Sequence, residues 1–157
     1  MVGRSNSGKT TLLEKLLPEI KKRGYRVATI KHDVHGFDID QPGKDTWRHA
    51  RAGADIVVIS SPQKVAVIEK VDLEKTLDEI ARKLDREHID LIITEGYKRL
   101  NKPKIEVFRA GVSDTLLSAE KELFAVVTDI PLEVKVPTFD PDDSTGILDL
   151  IEEKFLS

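Results

Sequence analysis

The sequence predicts an α/β fold: a mostly parallel sheet with helices on both faces, plus one antiparallel hairpin. Two observations carry this. Short β-branched stretches alternate with amphipathic helical stretches along most of the chain, a pattern that favours parallel strands covered by helices. Residues Gly3-Arg4-Ser5-Asn6-Ser7-Gly8-Lys9-Thr10 also match G-x-x-x-x-G-K-[ST] without a mismatch, directly ahead of a helical stretch. The expected fold is therefore P-loop NTPase-like. The 157 residues suit one domain with a sizeable core, residues 1–157.

The motif has a physical reason. Gly3 and Gly8 allow a tight backbone path that turns successive N–H groups inward, from Arg4, Ser5, Asn6 and Ser7 on to Thr10 and Thr11. Those groups hold phosphate oxygens, helped by the positive end of the helix that follows. Lys9 reaches the β- and γ-phosphates, and the Thr10 hydroxyl ligates Mg²⁺. Such a loop normally follows a buried strand of about five residues. Only Met1 and Val2 precede Gly3. The expectation is that the natural first strand is truncated or that it is a stub.

The elements follow in order. Leu12, Leu13, Leu16, Leu17 and Ile20 form an apolar helical face, with Pro18 expected to kink or weaken it and Gly24 to end it. Residues 26–31 read as a strand delivering Lys31-His32-Asp33 to its carboxyl end, the edge where open α/β sheets bind ligands. A polar loop over 32–44 leads to a short helix at 45–52, on which Lys44, Arg48 and Arg51 share a face. That stripe suits either a phosphate-bearing ligand or solvent. Residues 55–60 and 64–70, linked by Pro62-Gln63, predict a hairpin. Asp72 is the expected cap of a helix carrying Leu73, Leu77, Ile80, Ala81 and Leu84.

Residues 90–94 read as a buried strand ending in Glu95-Gly96. This is the form of the second NTPase motif, with Glu in place of the usual Asp, and it makes Glu95 a magnesium ligand beside Thr10, with Asp33 as a further acid. Lys98, Arg99, Lys102 and Lys104 form a basic segment ahead of an alternating strand at 104–109. Residues 123–128 predict a buried strand delivering Asp129, and 134–136 a last short one. Asp142-Asp143-Ser144-Thr145 starts a helix with Ile147, Leu148, Ile151 and Phe155 on its apolar face.

Composition narrows the partners. The net charge of −3 argues against nucleic acid. With no cysteine, disulfides and zinc–thiolate sites are excluded. No apolar run approaches the roughly 20 residues of a membrane helix and no signal peptide is visible, so the expected location is cytoplasmic. His32 and His35 supply only two imidazoles; they are open to a metal, to phosphate or a second substrate, or to packing in the loop. Asn101-Lys102-Pro103-Lys104 imitates half of a guanine-reading motif but ends in Lys. Asp129 is the better candidate for base selection, since a carboxylate accepts from the N1–H and N2–H₂ edge of guanine; a turn-forming role is the alternative.

Several stretches together resemble the molybdopterin-guanine dinucleotide biosynthesis protein B family. They are Gly3–Thr10, Lys31-His32 with His35, Asp40-Gln41-Pro42-Gly43-Lys44-Asp45-Thr46, Ala52-Gly53-Ala54, Thr94-Glu95-Gly96-Tyr97-Lys98 and Lys104-Ile105-Glu106-Val107. The resemblance implies a P-loop fold that binds GTP with Mg²⁺ and hydrolyses it slowly. It implies a homodimer and an accessory role beside a guanylyltransferase, which attaches GMP to molybdopterin, with other cofactor-assembly proteins nearby. It implies that Gly3–Thr10 bind phosphates, that Thr10 and Glu95 serve Mg²⁺, and that Lys31–His35 with Lys44 and Asp45 line the site. Molybdopterin is a possible second ligand. The competing expectations are a small-molecule kinase with Asp33 as base and the basic segment from Lys98 gripping the acceptor, a non-catalytic adaptor, and a metallochaperone GTPase. In the first reading Lys9, Asp33 and Glu95 carry the chemistry.

Overall fold

The computed structural model describes residues 1–85 and 88–156. In chain order the elements are α1 (Lys9–Lys22), β1 (Val27–Lys31), α2 (Asp45–Arg51), β2 (Ile56–Ser60), β3 (Val65–Glu69), α3 (Leu77–Asp85), β4 (Leu91–Glu95), β5 (Lys104–Phe108), β6 (Leu123–Thr128), β7 (Thr138–Phe139) and α4 (Ser144–Phe155). They gather into two compact units, Met1–Asp33 with Leu84–Ser157, and Val34–Lys83.

In the first unit β1 pairs with β4, and β5, β6 and β7 pair in that order, all in parallel. Met1 and Val2 lie between β4 and β5. The Met1 nitrogen donates to the Thr94 carbonyl at 2.6 Å, and the Gly96 N–H donates to the Met1 carbonyl at 3.2 Å. On the other side Val2 N–H donates to the Ile105 carbonyl and Val107 N–H to the Val2 carbonyl, both at 2.9 Å. Met1 and Val2 thus bridge the two strands.

The main core lies on one face of this sheet. Leu12, Leu16 and Ile20 of α1 meet Ile147, Leu148 and Ile151 of α4 over Ile105, Val107, Ala125 and Val127. Pro18 does not interrupt α1, which runs through it to Lys22. Its ring is exposed, so it removes one amide donor without colliding with the core. Arg23 pairs with Asp149 at 2.6 Å and with Glu152, tying the end of α1 to α4. Asp143 caps α4 by accepting from Gly146 N–H at 2.9 Å, while Phe155 stays 47% exposed and turns edge-on to Phe124.

Three expectations are corrected, and one alternating strand is buried throughout. Residues 134–136 are not a strand: Val134 and Val136 cover Phe108, Leu123 and Val126 on the second face, and pairing resumes only where the Pro137 carbonyl accepts from Val126 N–H at 3.0 Å. β4, expected to be buried, is half-buried along its length. β5 alternates polar and apolar residues, yet all of it is buried. Its Glu106 accepts from Leu117 N–H at 2.6 Å and Ser118 N–H at 2.9 Å, and its Lys104 reaches Glu122 at 2.9 Å. Finally, α3 starts at Leu77, not after Asp72. Glu79 N–H donates to Thr76 Oγ1 at 3.3 Å while Thr76 N–H donates to the Glu79 carboxylate at 2.8 Å, a reciprocal cap that Asp72 cannot form.

In the second unit β2 and β3 form the expected antiparallel hairpin, with Val58 opposite Val67. Among the described residues no helix is long and apolar enough to cross a membrane.

Glu106 is 2% exposed and satisfies two backbone donors. Replacing it by Leu leaves those N–H groups without an acceptor and is expected to cost about 2–4 kcal/mol, read as a lower urea midpoint at unchanged slope.

Candidate functional site

Val2 leads straight into Gly3, which has φ 150°. A Cβ there would lie 2.5 Å from the Val107 carbonyl oxygen and 2.6 Å from Ser7 Oγ, so only glycine lets the loop pass this close to β5. The loop closes with Ser7 N–H donating to the Arg4 carbonyl at 3.2 Å. Gly8, at φ 97°, hands the chain to α1 as its N-cap. Lys9 Nζ folds back to the Arg4 carbonyl at 2.7 Å, and Arg4 Nε donates to Ser113 Oγ at 3.3 Å. Ser7 Oγ is buried with no hydrogen-bond partner among the described residues. A concave run of amides at a helix start, with a lysine over it and a hydroxyl inside it, is suited to an anion.

Beside the loop, Thr10 Oγ1 lies 3.4 Å from each carboxylate oxygen of Glu95. Neighbouring oxygens around an octahedral Mg²⁺ sit roughly 3 Å apart, given metal–oxygen distances of about 2.1 Å. The pair therefore fits Mg²⁺, with phosphate oxygens and water completing the shell. Among the described residues no group of three or more His, Cys, Asp or Glu side chains is arranged to hold a metal ion, a poor match to a transition-metal centre.

The register of β1 on β4 sets Lys31 opposite Glu95. His32 N–H donates to the Glu95 carbonyl at 2.9 Å, and its ring stacks on Tyr97 at 4.4 Å. Between them Gly96, at φ 103°, leaves a Cβ position only 3.1 Å from His32 Cβ and O. Burial lowers the Lys9 ammonium below the usual lysine range; Glu95 opposes this, and Lys98 and Lys31 add to it. Lys9, Thr10, Lys31, Glu95 and Lys98 thus share one edge of the first unit, and Asp33 is exposed just past it. His35, Lys44 and Asp45 belong to the second unit. There Lys44 is the residue before α2, Asp45 opens it and lies 4.0 Å from Arg48, and Arg51 sits over the Trp47 ring at 5.3 Å.

A cleft of about 380 Å³ opens from Ser7 and Gly8 along α1, bounded by Thr11 and Lys15, by Phe108 and Arg109, and by Asp129, Asp140 and Asp142. Asp129 is engaged: its Oδ1 accepts from Ala110 N–H at 2.9 Å, and its Oδ2 lies 3.7 Å from Arg109 Nε. The sequence reading missed Lys15, Asp140 and Asp142. Lys15 was findable, since it stands one turn beyond Thr11 on the same helix face. The two aspartates follow a strand that the sequence pattern misplaced.

Residues 1–129 match the family model described as molybdopterin guanine dinucleotide synthesis protein B. The chain belongs to that family. It is 38% identical over 152 residues to the molybdopterin-guanine dinucleotide biosynthesis adapter protein of Haemophilus influenzae, covering 97% of this chain and 85% of the relative. It is also 38% identical over 153 residues to the Escherichia coli protein of that description, covering 95% and 87%. A crystal structure titled molybdopterin-guanine biosynthesis protein B superposes with a TM-score of 0.75 at 31% identity, covering 99% of this chain and 97% of that one. The P-loop NTPase-like α/β architecture is thus shared with that structure.

Gly96→Ala tests the edge. The added methyl must push against His32 in a backbone conformation that alanine rarely adopts. About 1–3 kcal/mol of stability should be lost in thermal denaturation.

Proposed function

We propose that this protein is a GTP-binding adapter of molybdopterin guanine dinucleotide synthesis, with slow, Mg²⁺-dependent hydrolysis of GTP to GDP and phosphate. The observation that carries it is the phosphate loop with Thr10 Oγ1 3.4 Å from the Glu95 carboxylate. In this reading the loop amides and Lys9 hold the β- and γ-phosphates, and Thr10 and Glu95 hold Mg²⁺ directly or through water. Asp33 is a further acid at that edge, and Lys31, His32 and Lys98 border a second anionic guest such as molybdopterin. The adapter role follows the relatives' description; in this reading the partner is a guanylyltransferase and the setting the cytoplasm. Slow turnover fits the arginines of this region: Arg4 is held to Ser113 and Arg109 to Asp129. An arginine brought to the γ-phosphate is worth 10³–10⁵ in rate, and neither is placed to supply that.

The protein acts as a homodimer through its hairpin. The pairs Val58–Val67 and Ser60–Val65, with Ile56, share one face of β2–β3. Val58 is 57% and Val67 61% exposed, an apolar surface that a second copy would cover.

Calorimetry tests the ligand. GTP should bind in the presence of Mg²⁺ and not measurably with EDTA, and Lys9→Ala should weaken binding about 10–100-fold. A preference for ATP would remove the proposal. For the dimer, light scattering should give twice the chain mass, falling to a monomer in Val58→Glu/Val67→Glu with the circular-dichroism spectrum retained.

A further inference from the structure

The cleft beside the phosphate loop has the place and size for a purine base, and its polar groups are not equivalent. Asp129 and Asp142 are occupied: Asp129 by Ala110 N–H and Arg109, Asp142 by Lys15, which also donates to the Pro141 carbonyl at 3.2 Å. Asp140 differs. It is exposed and makes no ion pair among the described residues; its Oδ1 accepts from Asp142 N–H at 2.8 Å, which orients the carboxylate. Asp140 follows β7 directly, so its backbone is set by a strand, and it lies across the cleft from α1. At the phosphate end of the same cleft the buried Ser7 Oγ has no hydrogen-bond partner among the described residues.

We infer that Asp140 is the specificity-determining residue for the base: its oriented carboxylate accepts the N1–H and N2–H₂ pair of guanine. Adenine presents no such pair of donors on one edge. Phe108 supplies apolar surface in the same cleft. This deepens the GTP reading and rests on it, and it moves base recognition from Asp129 to Asp140.

The chemistry dictates the test. An asparagine at this position keeps one acceptor for N1–H and gains a donor, which pairs with the 2-oxo group of xanthine and meets the 2-amino group of guanine badly. With Mg²⁺ present, GDP, xanthosine diphosphate, ADP and tripolyphosphate are titrated against the full chain. The unaltered chain should favour GDP over the other two nucleotides by about 10–100-fold. Asp140→Asn should reverse the order of GDP and xanthosine diphosphate and leave tripolyphosphate affinity unchanged, while Asp129→Asn should keep the preference for GDP. An Asp140→Asn protein that binds tripolyphosphate normally and still prefers GDP overturns the assignment, as does a reversal in Asp129→Asn. If Asp140→Asn does not bind tripolyphosphate, the unaltered chain decides: the ¹³Cγ resonance of Asp140 should move on adding GDP and stay on adding tripolyphosphate, and a resonance unmoved by GDP overturns it. A preference for ADP in the unaltered chain removes the GTP reading itself, and a preference for GDP that does not depend on Asp140 removes only this inference.

Discussion

The site depends on where the backbone enters it. Met1 and Val2 are hydrogen-bonded to β4 on one side and β5 on the other, and this places Gly3 at the carboxyl edge of the sheet. Each such bond is worth about 1 kcal/mol, a modest term. Their positional effect is larger. One neighbour ends in Glu95, which then faces Thr10; the other ends in Phe108 and Arg109, which then border the cleft. Glu95 and the Phe108 wall of the cleft are fixed relative to the phosphate loop because a single short ladder holds both strands.

The contact at Gly3 makes this constraint severe. The loop runs so close to the Val107 carbonyl that a methyl group would overlap it. That approach also sets Ser7 Oγ, which is buried, against Gly3. Lys9 in this state donates to the loop's own carbonyl at Arg4, a bond that a phosphate oxygen can replace by a small rotation of the side chain. The Lys9 ammonium is disfavoured by its burial and by Lys31 and Lys98, and Glu95 offsets this only in part. A polyanion arriving at this edge relieves repulsion among cations that the fold has already assembled, a favourable term present before any new contact is counted.

What the sequence made legible was local chemistry. The phosphate loop, the hairpin, the Asp143 cap and the acid at the end of β4 are each written in a few adjacent residues. What it hid was set by neighbours distant in the chain. The alternation Lys104-Ile105-Glu106-Val107 looks like a half-exposed strand, but Glu106 is buried because residues 117 and 118 bring it two amide donors, and Lys104 because Glu122 lies beside it. Val134 and Val136 have the spacing of a strand and act as a lid on Phe108 and Val126. Asp72 and Thr76 are both good helix caps in isolation; Glu79 decides for Thr76. Asp129 stands at a strand end as a base-reading carboxylate would, and only the fold shows Arg109 and the Ala110 amide already on it.

The misplacement of the last strand matters for the proposed base site, because β7 sets Asp140. A two-residue strand is a weak anchor alone. Here it is reinforced from behind: α4 begins a few residues later, is capped by Asp143, and packs Ile147, Leu148 and Ile151 into the core that α1 shares. The Asp142–Lys15 ion pair links the segment after β7 to the helix that carries the phosphate loop. An exposed pair of this kind contributes little stability. Its consequence is geometric, since it joins the two walls of the cleft. In the proposed reading, phosphate recognition at one end of α1 and base recognition beside its second turn would depend on one helix, so the distance between them would be set by the fold.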